Sequence, residues 1–262
     1  MTGRAEHGPG PAVRLQDLHK EYVSPLTMRR LLTFRWTRER VPALCGVSAD
    51  LEASRIHAFV GPNGAGKTTL LQLVCALLWP TQGRVEVLGA DTRKDPGFVR
   101  RVVGYCITEP RSFFLRLSGR ENLRFFASLH AIAGRARADR VQEMLERMEL
   151  AAVADRPVLS YSEGMKQRLA LARALLPEPR VLLLDEVGRG LDPRLREKVY
   201  DLVRRDLVQG RGVTVLMASH NLEEVASLAD RVHVMQRGRV LASGGFADVS
   251  SVIRGVFSDE DA

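Results

Sequence analysis

A glycine-rich segment in the first third of the chain has residue types suited to holding phosphate. It follows the spacing G-x-x-x-x-G-K-[ST], and its residues are Gly61, Pro62, Asn63, Gly64, Ala65, Gly66, Lys67 and Thr68. Glycine permits the positive φ angles and the close approach that aim backbone N–H groups at phosphate oxygens. We expect Lys67 to reach the β- and γ-phosphates and the Thr68 hydroxyl to coordinate Mg²⁺. The segment therefore predicts a nucleoside triphosphate site.

A pair of acidic residues, Asp185 and Glu186, follows the apolar run 181–184. Such a run is typical of a buried parallel strand, and ligands bind at the carboxyl ends of these strands. Asp185 therefore suits the Mg²⁺ shell, directly or through water. Glu186 points elsewhere and is a candidate general base for the attacking water. Two ordinary surface carboxylates are the alternative, which the phosphate loop in the same chain weakens.

The elements that would position these groups follow an α/β rhythm. A strand at 56–60 enters the phosphate loop and a helix at 67–78 leaves it. Further on, Ser118 and Glu121 have the spacing of a capping box, which opens the first of three successive helices. Beyond a strand that starts at Val13, further strands are expected at 47–51, 85–87, 102–105, 181–184, 213–217, 232–235 and 239–242. Helices are expected at 118–130, 136–149, 162–176, 194–207 and 222–228.

These elements predict one main domain with an insertion. We expect a flexible tail over 1–12, a nucleotide-binding domain over 13–250 and an acidic tail over 251–262. A helical subdomain at about 110–165 is expected within the main domain, because three helices interrupt the α/β rhythm there.

Composition limits the class of protein without choosing a partner. The 262 residues carry a net charge of +8, which favours nucleic acid, anionic lipid or phosphate ligands, although a GC-rich genome also explains the arginine excess. Cys45, Cys75 and Cys106 have no disulfide or zinc spacing, as expected in a reducing, cytosolic compartment. The longest apolar stretch, near 70–79, is shorter than the roughly 20 residues that span a bilayer. Residues 1–11 lack the apolar run of a signal peptide. Any membrane role would therefore need a partner.

Five features, in order along residues 13–247, make the chain similar to the ATP-binding cassette (ABC) family. They are GPNGAGKTT at 61–69, SYSEGMKQRLALARALL at 160–176, VLLLDE at 181–186, GLDP at 190–193 and a strand followed by Ser219 and His220. The second is the most specific, because other phosphate-loop classes lack it. Where the family commonly has L-S-G-G-Q, this chain has Tyr161, Ser162, Glu163, Gly164 and Met165. The resemblance implies an α/β phosphate-loop NTPase core with a mostly parallel sheet, an N-terminal antiparallel β portion and an inserted helical subdomain.

The resemblance also implies a head-to-tail dimer that holds two ATP molecules, with Mg²⁺, at its interface. Each ATP would contact the phosphate loop, including Thr69, of one subunit and the segment Ser162, Glu163 and Gly164 of the other. There the N-terminus of a helix would again face an anion. Asp192 would lie in the loop that couples the two sites. The dimer would contain two copies of this chain, or this chain and a second ABC subunit.

Two further residues receive roles from the resemblance. His220 would contact the γ-phosphate and help to hold the attacking water, so that Lys67, Glu186 and His220 form the implied catalytic set. A lone histidine is more often structural or solvated, but its place after a strand and before a helix favours the functional interpretation. Tyr22 would stack on adenine; a partly buried strand tyrosine is the alternative.

The chain departs from the family pattern at some positions. The family usually has a Gln after the strand near Gly104, where it contacts Mg²⁺ and senses the membrane subunit. This chain has Thr108 there, followed by Glu109. The shorter threonine hydroxyl would reach the metal through a water, so we expect altered coupling rather than lost hydrolysis. Val187 and Gly188 replace the common Pro and small hydroxyl residue after the catalytic Glu.

Two segments are candidates for contact with other molecules. The insertion 28–40 interleaves five arginines with Leu31, Leu32, Phe34 and Trp36, which would suit lipid headgroups, nucleic acid or a solvated loop. Phe113 and Phe114 lie in the region that docks the membrane subunit in the family, although both would also fit a core. Similar insertions occur in exporter-type ATPase subunits, and the segment 111–123 resembles the multidrug or polysaccharide-export group, so the resemblance favours an exporter.

The sequence thus predicts an ATPase subunit of a bacterial ABC transporter, with a separate polytopic membrane subunit as its partner. Its expected place is peripheral, on the cytoplasmic face of the inner membrane. The alternative is a soluble ABC ATPase that acts on ribosomes or nucleic acid. Those classes usually carry two cassettes or long coiled coils, and this chain has one phosphate loop and no sustained heptads, so no nucleic-acid partner is expected. A non-hydrolysing regulatory cassette is a third reading, which the intact Lys67, Asp185, Glu186 and His220 oppose.

Overall fold

The computed structural model describes residues 10–23, 40–107, 112–188 and 190–258. Its strands are β1 (Val13–Val23), β2 (Arg40–Leu51), β3 (Ile56–Val60), β4 (Gln82–Val87), β5 (Ala90–Asp91), β6 (Val103–Cys106), β7 (Val181–Asp185), β8 (Thr214–Ser219), β9 (Arg231–Gln236) and β10 (Arg239–Gly244). Its helices are α1 (Lys67–Val74), α2 (Pro96–Val102), α3 (Gly119–Leu129), α4 (Gly134–Arg147), α5 (Glu163–Leu175), α6 (Pro193–Asp201), α7 (Leu222–Leu228) and α8 (Phe246–Ser258). A π-helical segment, Leu202–Gln209, continues α6.

A six-stranded sheet forms the centre of the fold, in the order β10-β9-β3-β8-β7-β6. Adjacent strands of this sheet run parallel, except for the antiparallel β9–β10 hairpin. Every residue of β3 and β8 is buried, as continuous apolar runs predict for strands covered on both faces. The mostly parallel α/β core is therefore confirmed.

A second, antiparallel sheet has the order β2-β1-β4-β5. Leucines of β1 and β2 pack with Phe59 and with the leucines of α1 in one apolar cluster. This cluster fixes the antiparallel sheet against the helix that follows the phosphate loop. The strand β2 begins at Arg40, well before the predicted start at 47, because its first residues pair with the end of β1, Val23 opposite Arg40. This sheet is the expected antiparallel β portion.

Three helices, α3, α4 and α5, lie between β6 and β7 in the chain and share one apolar cluster. The predicted capping box opens α3: Ser118 accepts from the N–H of Glu121, and the Glu121 carboxylate accepts from the N–H of Ser118. The insertion of helices between two neighbouring parallel strands agrees with the sequence pattern.

Several element ends differ from the sequence prediction. Helix α1 ends at Val74 rather than 78, because Ala76 adopts a left-handed φ of 54° and the N–H groups of Leu77 and Leu78 both bond to the Gln72 carbonyl. Helix α8 runs to Ser258, past the predicted boundary at 250, because Ile253 and Val256 are buried against the core. The acidic tail therefore does not begin at 251.

The beginning of the fold also differs, since Ala12 is buried and its N–H bonds to the Leu51 carbonyl, so the predicted tail 1–12 is ordered at its end. Helix α2 and strand β5 were missed by the sequence pattern. Thr108, Glu109 and positions 28–39 of the basic insertion lie outside the described residues. Among the residues that are described, no helix has the length and apolar character needed to cross a bilayer.

Candidate nucleotide-binding site

The phosphate loop connects β3 to α1, and the backbone of neighbouring strands packs closely against it. Gly66 begins α1 in the left-handed region, with φ of 102°. A Cβ there would lie 2.5 Å from the Ala43 carbonyl oxygen, and a Cβ on Gly61 would lie 2.0 Å from that of Met235. Both positions therefore require glycine, because strands β2 and β9 press against the loop from outside.

Lys67 lies beneath the loop rather than on its surface. The side chain is 7% exposed, and its Nζ donates to the carbonyl oxygens of Gly61, at 2.5 Å, and Pro62, at 2.9 Å. Those bonds hold the positive charge within the curve of the loop, where the N–H groups of the first turn of α1 also point. The local field therefore favours an anion.

Asp185 meets the loop at the end of β7. Its Oδ1 accepts from the Thr68 hydroxyl at 3.3 Å, and its Oδ2 accepts from the Tyr105 hydroxyl at 3.1 Å. Burial raises the pKa of Asp185, and the two hydroxyl donors oppose that rise. Thr68 and Asp185 offer hard oxygen ligands. Mg²⁺ typically binds one or two such protein ligands together with phosphate oxygens and water. These two residues therefore fit the metal that the sequence predicts.

Tyr105 was missed by sequence reasoning. It lies on β6, opposite Leu183 of β7, so its side chain reaches the same sheet edge as Asp185. The signal was present in the sequence, since a tyrosine interrupts an otherwise apolar run at 102–106. Buried strand tyrosines commonly carry a hydrogen-bonded hydroxyl.

Glu186 and His220 form a contact of their own beside this group. Glu186 Oε1 lies 2.9 Å from His220 Nδ1, and both side chains reach solvent, 25% and 53% exposed. The Glu186 backbone has a left-handed φ of 54°, and its N–H donates to the Ala218 carbonyl of β8 at 3.0 Å. That turn directs Glu186 away from Asp185 and toward His220, a contact that the sequence does not predict.

A buried glutamine fixes the chain just after Glu186. Gln167 of α5 is 1% exposed, and its Nε2 donates to the Val187 carbonyl at 2.8 Å. The same helix begins at Ser162, so Gln167 links that helix start to the acidic turn through one hydrogen bond. Sequence reasoning missed this residue, because a glutamine within a helix carries no signal of its own.

The segment Ser162, Glu163 and Gly164 opens α5. The Ser162 hydroxyl caps the helix by accepting from the N–H of Met165 at 3.2 Å. Ser162 and Glu163 are exposed, and within the described ranges their hydrogen bonds stay inside α5. Asp192 similarly caps α6, accepting from the N–H of Leu195 at 3.0 Å.

Tyr22 lies beside the end of the phosphate loop. Its hydroxyl lies 3.2 Å from the Thr69 hydroxyl, its side chain is 40% exposed, and Lys20 Nζ sits 5.5 Å from the ring centroid. The structure therefore brings Tyr22 to the loop despite the long insertion that follows it. An exposed ring at this place is available for stacking.

The C-terminal helix borders the outer side of the loop. A cleft of about 200 Å³ lies between Pro62, Asn63 and Gly64 on one side and Gln236, Arg237 and Val256 on the other. The last turn of α8 therefore lies close to the phosphate loop.

Comparisons with known proteins place these features in a family. A family model described as ABC transporter matches residues 44–188. The chain is 43% identical over 202 residues to the daunorubicin resistance ATP-binding protein DrrA3 of Streptomyces coeruleorubidus, which covers 77% of this chain and 63% of DrrA3. It is 33% identical over 215 residues to the ABC transporter ATP-binding protein NatA of Bacillus subtilis, covering 80% and 85%. The chain thus spans less than two thirds of the length of DrrA3.

A solved structure agrees with the fold over most of the chain. The dimeric, post-hydrolysis ATP-binding cassette MJ0796, bound to ADP and Pi, superposes with a TM-score of 0.78 and 25% identity, covering 89% of this chain and 98% of that one. The likeness confirms the fold class that the sequence motifs predicted.

Proposed function

Because the chain belongs to the ABC transporter family, we propose that it binds and hydrolyses ATP to power a transporter whose membrane-spanning part is a separate polypeptide. The observation that carries the proposal is the pairing of Glu186 with His220 at 2.9 Å, beside the Thr68–Asp185 contact at the mouth of the phosphate loop. This arrangement supports a role for one pair as base and for the other as metal ligands beside the same phosphate.

Phosphate binding falls to the loop. Backbone N–H groups of the phosphate loop and the buried Lys67 ammonium neutralise the β- and γ-phosphates, while the N-terminus of α1 adds its partial charge. Thr68 and Asp185, and Thr108 through a water, would hold Mg²⁺, which supplies charge neutralisation on the phosphate oxygens when bound. Tyr22 covers the adenine with its exposed ring.

Water activation falls to the Glu186–His220 pair. The Glu186 carboxylate accepts a proton from the attacking water, and His220 orients both that carboxylate and the γ-phosphate. The left-handed turn at Glu186 matters because it separates the base from Asp185, so the two carboxylates serve different tasks.

A second subunit completes the site. The exposed start of α5, with Ser162, Glu163 and Gly164, contacts the γ-phosphate held by the loop of the partner, and Asp192 lies where the two sites communicate. The dimeric state of the MJ0796 cassette supports this arrangement. The partner is a second copy of this chain or another ABC subunit.

The transport role is that of an exporter attached to the cytoplasmic face of the inner membrane. The name of DrrA3, a daunorubicin resistance ATP-binding protein, supports export. Phe114, which is 47% exposed and packs edge-to-face on Phe125, is a candidate contact for the membrane subunit, whereas Phe113 packs against the core.

The test of the base assignment is the substitution Glu186→Gln in the full chain. We expect ATP to bind with unchanged affinity, turnover to fall by about 10²-fold or more, and an ATP-dependent dimer to accumulate on size-exclusion chromatography. Glu197→Gln, on the exposed side of α6, is the matched control and keeps the parent turnover. Full turnover in Glu186→Gln would remove Glu186 as the base.

The test of the partner is a pull-down with the same Glu186→Gln chain from detergent-solubilised membranes of its own host, with ATP present. A polytopic membrane protein in the eluate supports the transporter assignment and identifies the cargo route. Ribosomes or nucleic acid without a membrane protein would contradict it.

A further inference from the structure

We propose that Glu224 is a positioning residue that holds His220 through Ser219, within a buried cluster completed by Tyr200 and Gly188. The inference rests on the proposed ATPase function, because it concerns the histidine beside the candidate base. It is independent of the identity of the cargo and of the membrane subunit.

The first argument is a closed set of hydrogen bonds around His220. The Ser219 hydroxyl donates to Glu224 Oε2 at 2.6 Å and accepts from the N–H of Asn221 at 3.0 Å. The Asn221 side chain in turn accepts from the N–H groups of Glu223 and Glu224 at 3.0 and 3.2 Å. The residues on both sides of His220 are therefore tied to the first turn of α7, which carries Glu224.

The second argument is the burial of the carboxylate. Glu224 is 4% exposed, although glutamate is rarely buried without compensation. One oxygen, Oε2, accepts from the Ser219 hydroxyl, and the other, Oε1, lies in the buried space beside Gly188 and Tyr200. A buried carboxylate costs stability, so its place directly behind a catalytic candidate favours a role beyond packing.

The third argument is the convergence of polar atoms beside Gly188. A Cβ on Gly188 would lie 2.8 Å from Glu224 Oε1 and 2.9 Å from the Tyr200 hydroxyl, so both atoms face the space that a side chain at 188 would fill. The Tyr200 hydroxyl is buried, and it interacts with the Glu224 carboxylate. Burial and the neighbouring Glu224 carboxylate raise the pKa of Tyr200, which keeps its proton available for donation.

This convergence explains why a glycine occupies position 188. Gly188 departs from the family pattern noted above, and in this chain any side chain there would displace the Glu224 carboxylate or the Tyr200 phenol. Gly188 thus leaves the room in which Glu224 Oε1 and the Tyr200 hydroxyl lie side by side.

The first experiment compares Glu224→Ala, Glu224→Gln and the control Glu223→Ala in the full chain. Because the side chain acts on the orientation of His220 and not on ATP, Glu224→Ala should lower kcat by about tenfold with a KM for ATP within about twofold of the parent. Glu224→Gln keeps an acceptor for Ser219 and should restore most of the kcat. Glu223 is exposed one residue earlier on the same helix, so Glu223→Ala should match the parent.

The second experiment does not depend on turnover. Amide hydrogen exchange at 219–221 should accelerate at least about tenfold in Glu224→Ala, and also in Ser219→Ala, while the exchange of β3 and β7 stays unchanged. If Glu224→Ala does not fold, the Ser219→Ala chain carries both measurements. Unchanged exchange at 219–221, or a raised KM with parental kcat, would overturn the inference. A parent chain without ATPase activity would overturn the proposed function, and the exchange result would still decide whether Glu224 positions His220.

Discussion

The phosphate loop and the start of α5 carry the two halves of the expected ATP site, and they differ in how far one chain satisfies them. The loop is enclosed: Lys67 is 7% exposed and bonds to loop carbonyls, and strands press on Gly61 and Gly66. The start of α5 is open, with Ser162 and Glu163 exposed and bonded only inside their own helix in the described ranges. One half is thus built for a ligand by its own chain, and the other presents a helix N-terminus outward.

The largest expected effect comes from filling the enclosed half. Gly66→Ala would place a methyl group 2.5 Å from the Ala43 carbonyl at a φ of 102°, so we expect a loss of about 3 kcal/mol or more in the free energy of unfolding. Urea unfolding measures it. The matched control is Gly64→Ala, which has a similar positive φ of 78° but nothing within 4 Å of its Cβ, and should lose about 1 kcal/mol. Equal losses in the two variants would contradict the enclosure of the loop.

The next effect is an acid sensitivity of the sheet behind the loop. His57 on β3 and His233 on β9 are buried, and His57 Nδ1 lies 3.4 Å from His233 Nε2. His233 Nδ1 also lies 2.8 Å from the Ser243 hydroxyl. Desolvation lowers the pKa of His57, and desolvation, the neighbouring His57 and Arg231 lower the pKa of His233 to about 3. Glu52 and Asp230 raise the pKa of His57 but do not cancel its burial.

The sign follows from which state binds the proton. The unfolded histidines protonate near pH 6.5 and the folded ones do not, so stability is full above that pH. For His233 the stability falls as the pH drops from about 6.5 toward 3, by about 1.4 kcal/mol per pH unit, and the lowered pKa of His57 adds to the fall below pH 6.5. Urea unfolding between pH 7.5 and 5 measures the slope, and His233→Gln should reduce it. Hydrogen exchange should show the loss in β3 and β9 before α5; the reverse order would contradict the assignment.

The start of α5 should act on the ATP that the phosphate loop of the partner subunit holds. Ser162→Ala loses a helix cap, about 1 kcal/mol of stability, and we expect it to keep ATP binding but lose turnover, whereas Lys67→Ala loses binding. Mixing the two variants should restore activity, because one site of the mixed dimer joins an intact loop to an intact Ser162. Turnover no greater than the sum of the separate variants would contradict the head-to-tail arrangement.

The smallest expected effect is the removal of a charge from the open half. Glu163 pairs with Lys166 at 2.8 Å on the surface, with Glu163 72% exposed, so Glu163→Gln should change the free energy of unfolding by less than about 0.5 kcal/mol. Thermal unfolding in low and high salt measures it. A larger change would mean that this helix start is more enclosed than its exposure indicates.

The sequence predicts the parts of the site whose chemistry depends on short-range order. The glycine spacing of the loop, the apolar run before Asp185 and the capping box of α3 each act within one turn or one strand, and the structure has all of them. The sequence does not predict the contact of Glu186 with His220, which forms because the parallel strands β7 and β8 are neighbours and end at one edge.

The parts that the sequence does not predict depend on contacts between distant segments. Tyr105 reaches Asp185 from another strand, and Gln167 reaches Val187 from a helix. The early start of β2 likewise needs the end of β1 as its partner, and the length of α8 needs the core that buries Ile253. The local sequence pattern of a segment does not indicate which distant segment it will contact.

The last turn of α8, beside the cleft at the outer side of the loop, offers a place for a reporter. Ser258 is exposed on that turn, and a Ser258→Cys chain would present a reactive thiol there. Cys75 and Cys106 are buried, and burial raises the pKa of each thiol to about 12, so neither competes for a thiol-reactive dye. With the half-buried Cys45 replaced by Ser, a single fluorophore would sit close enough to the loop to signal nucleotide arrival without touching the groups that bind it.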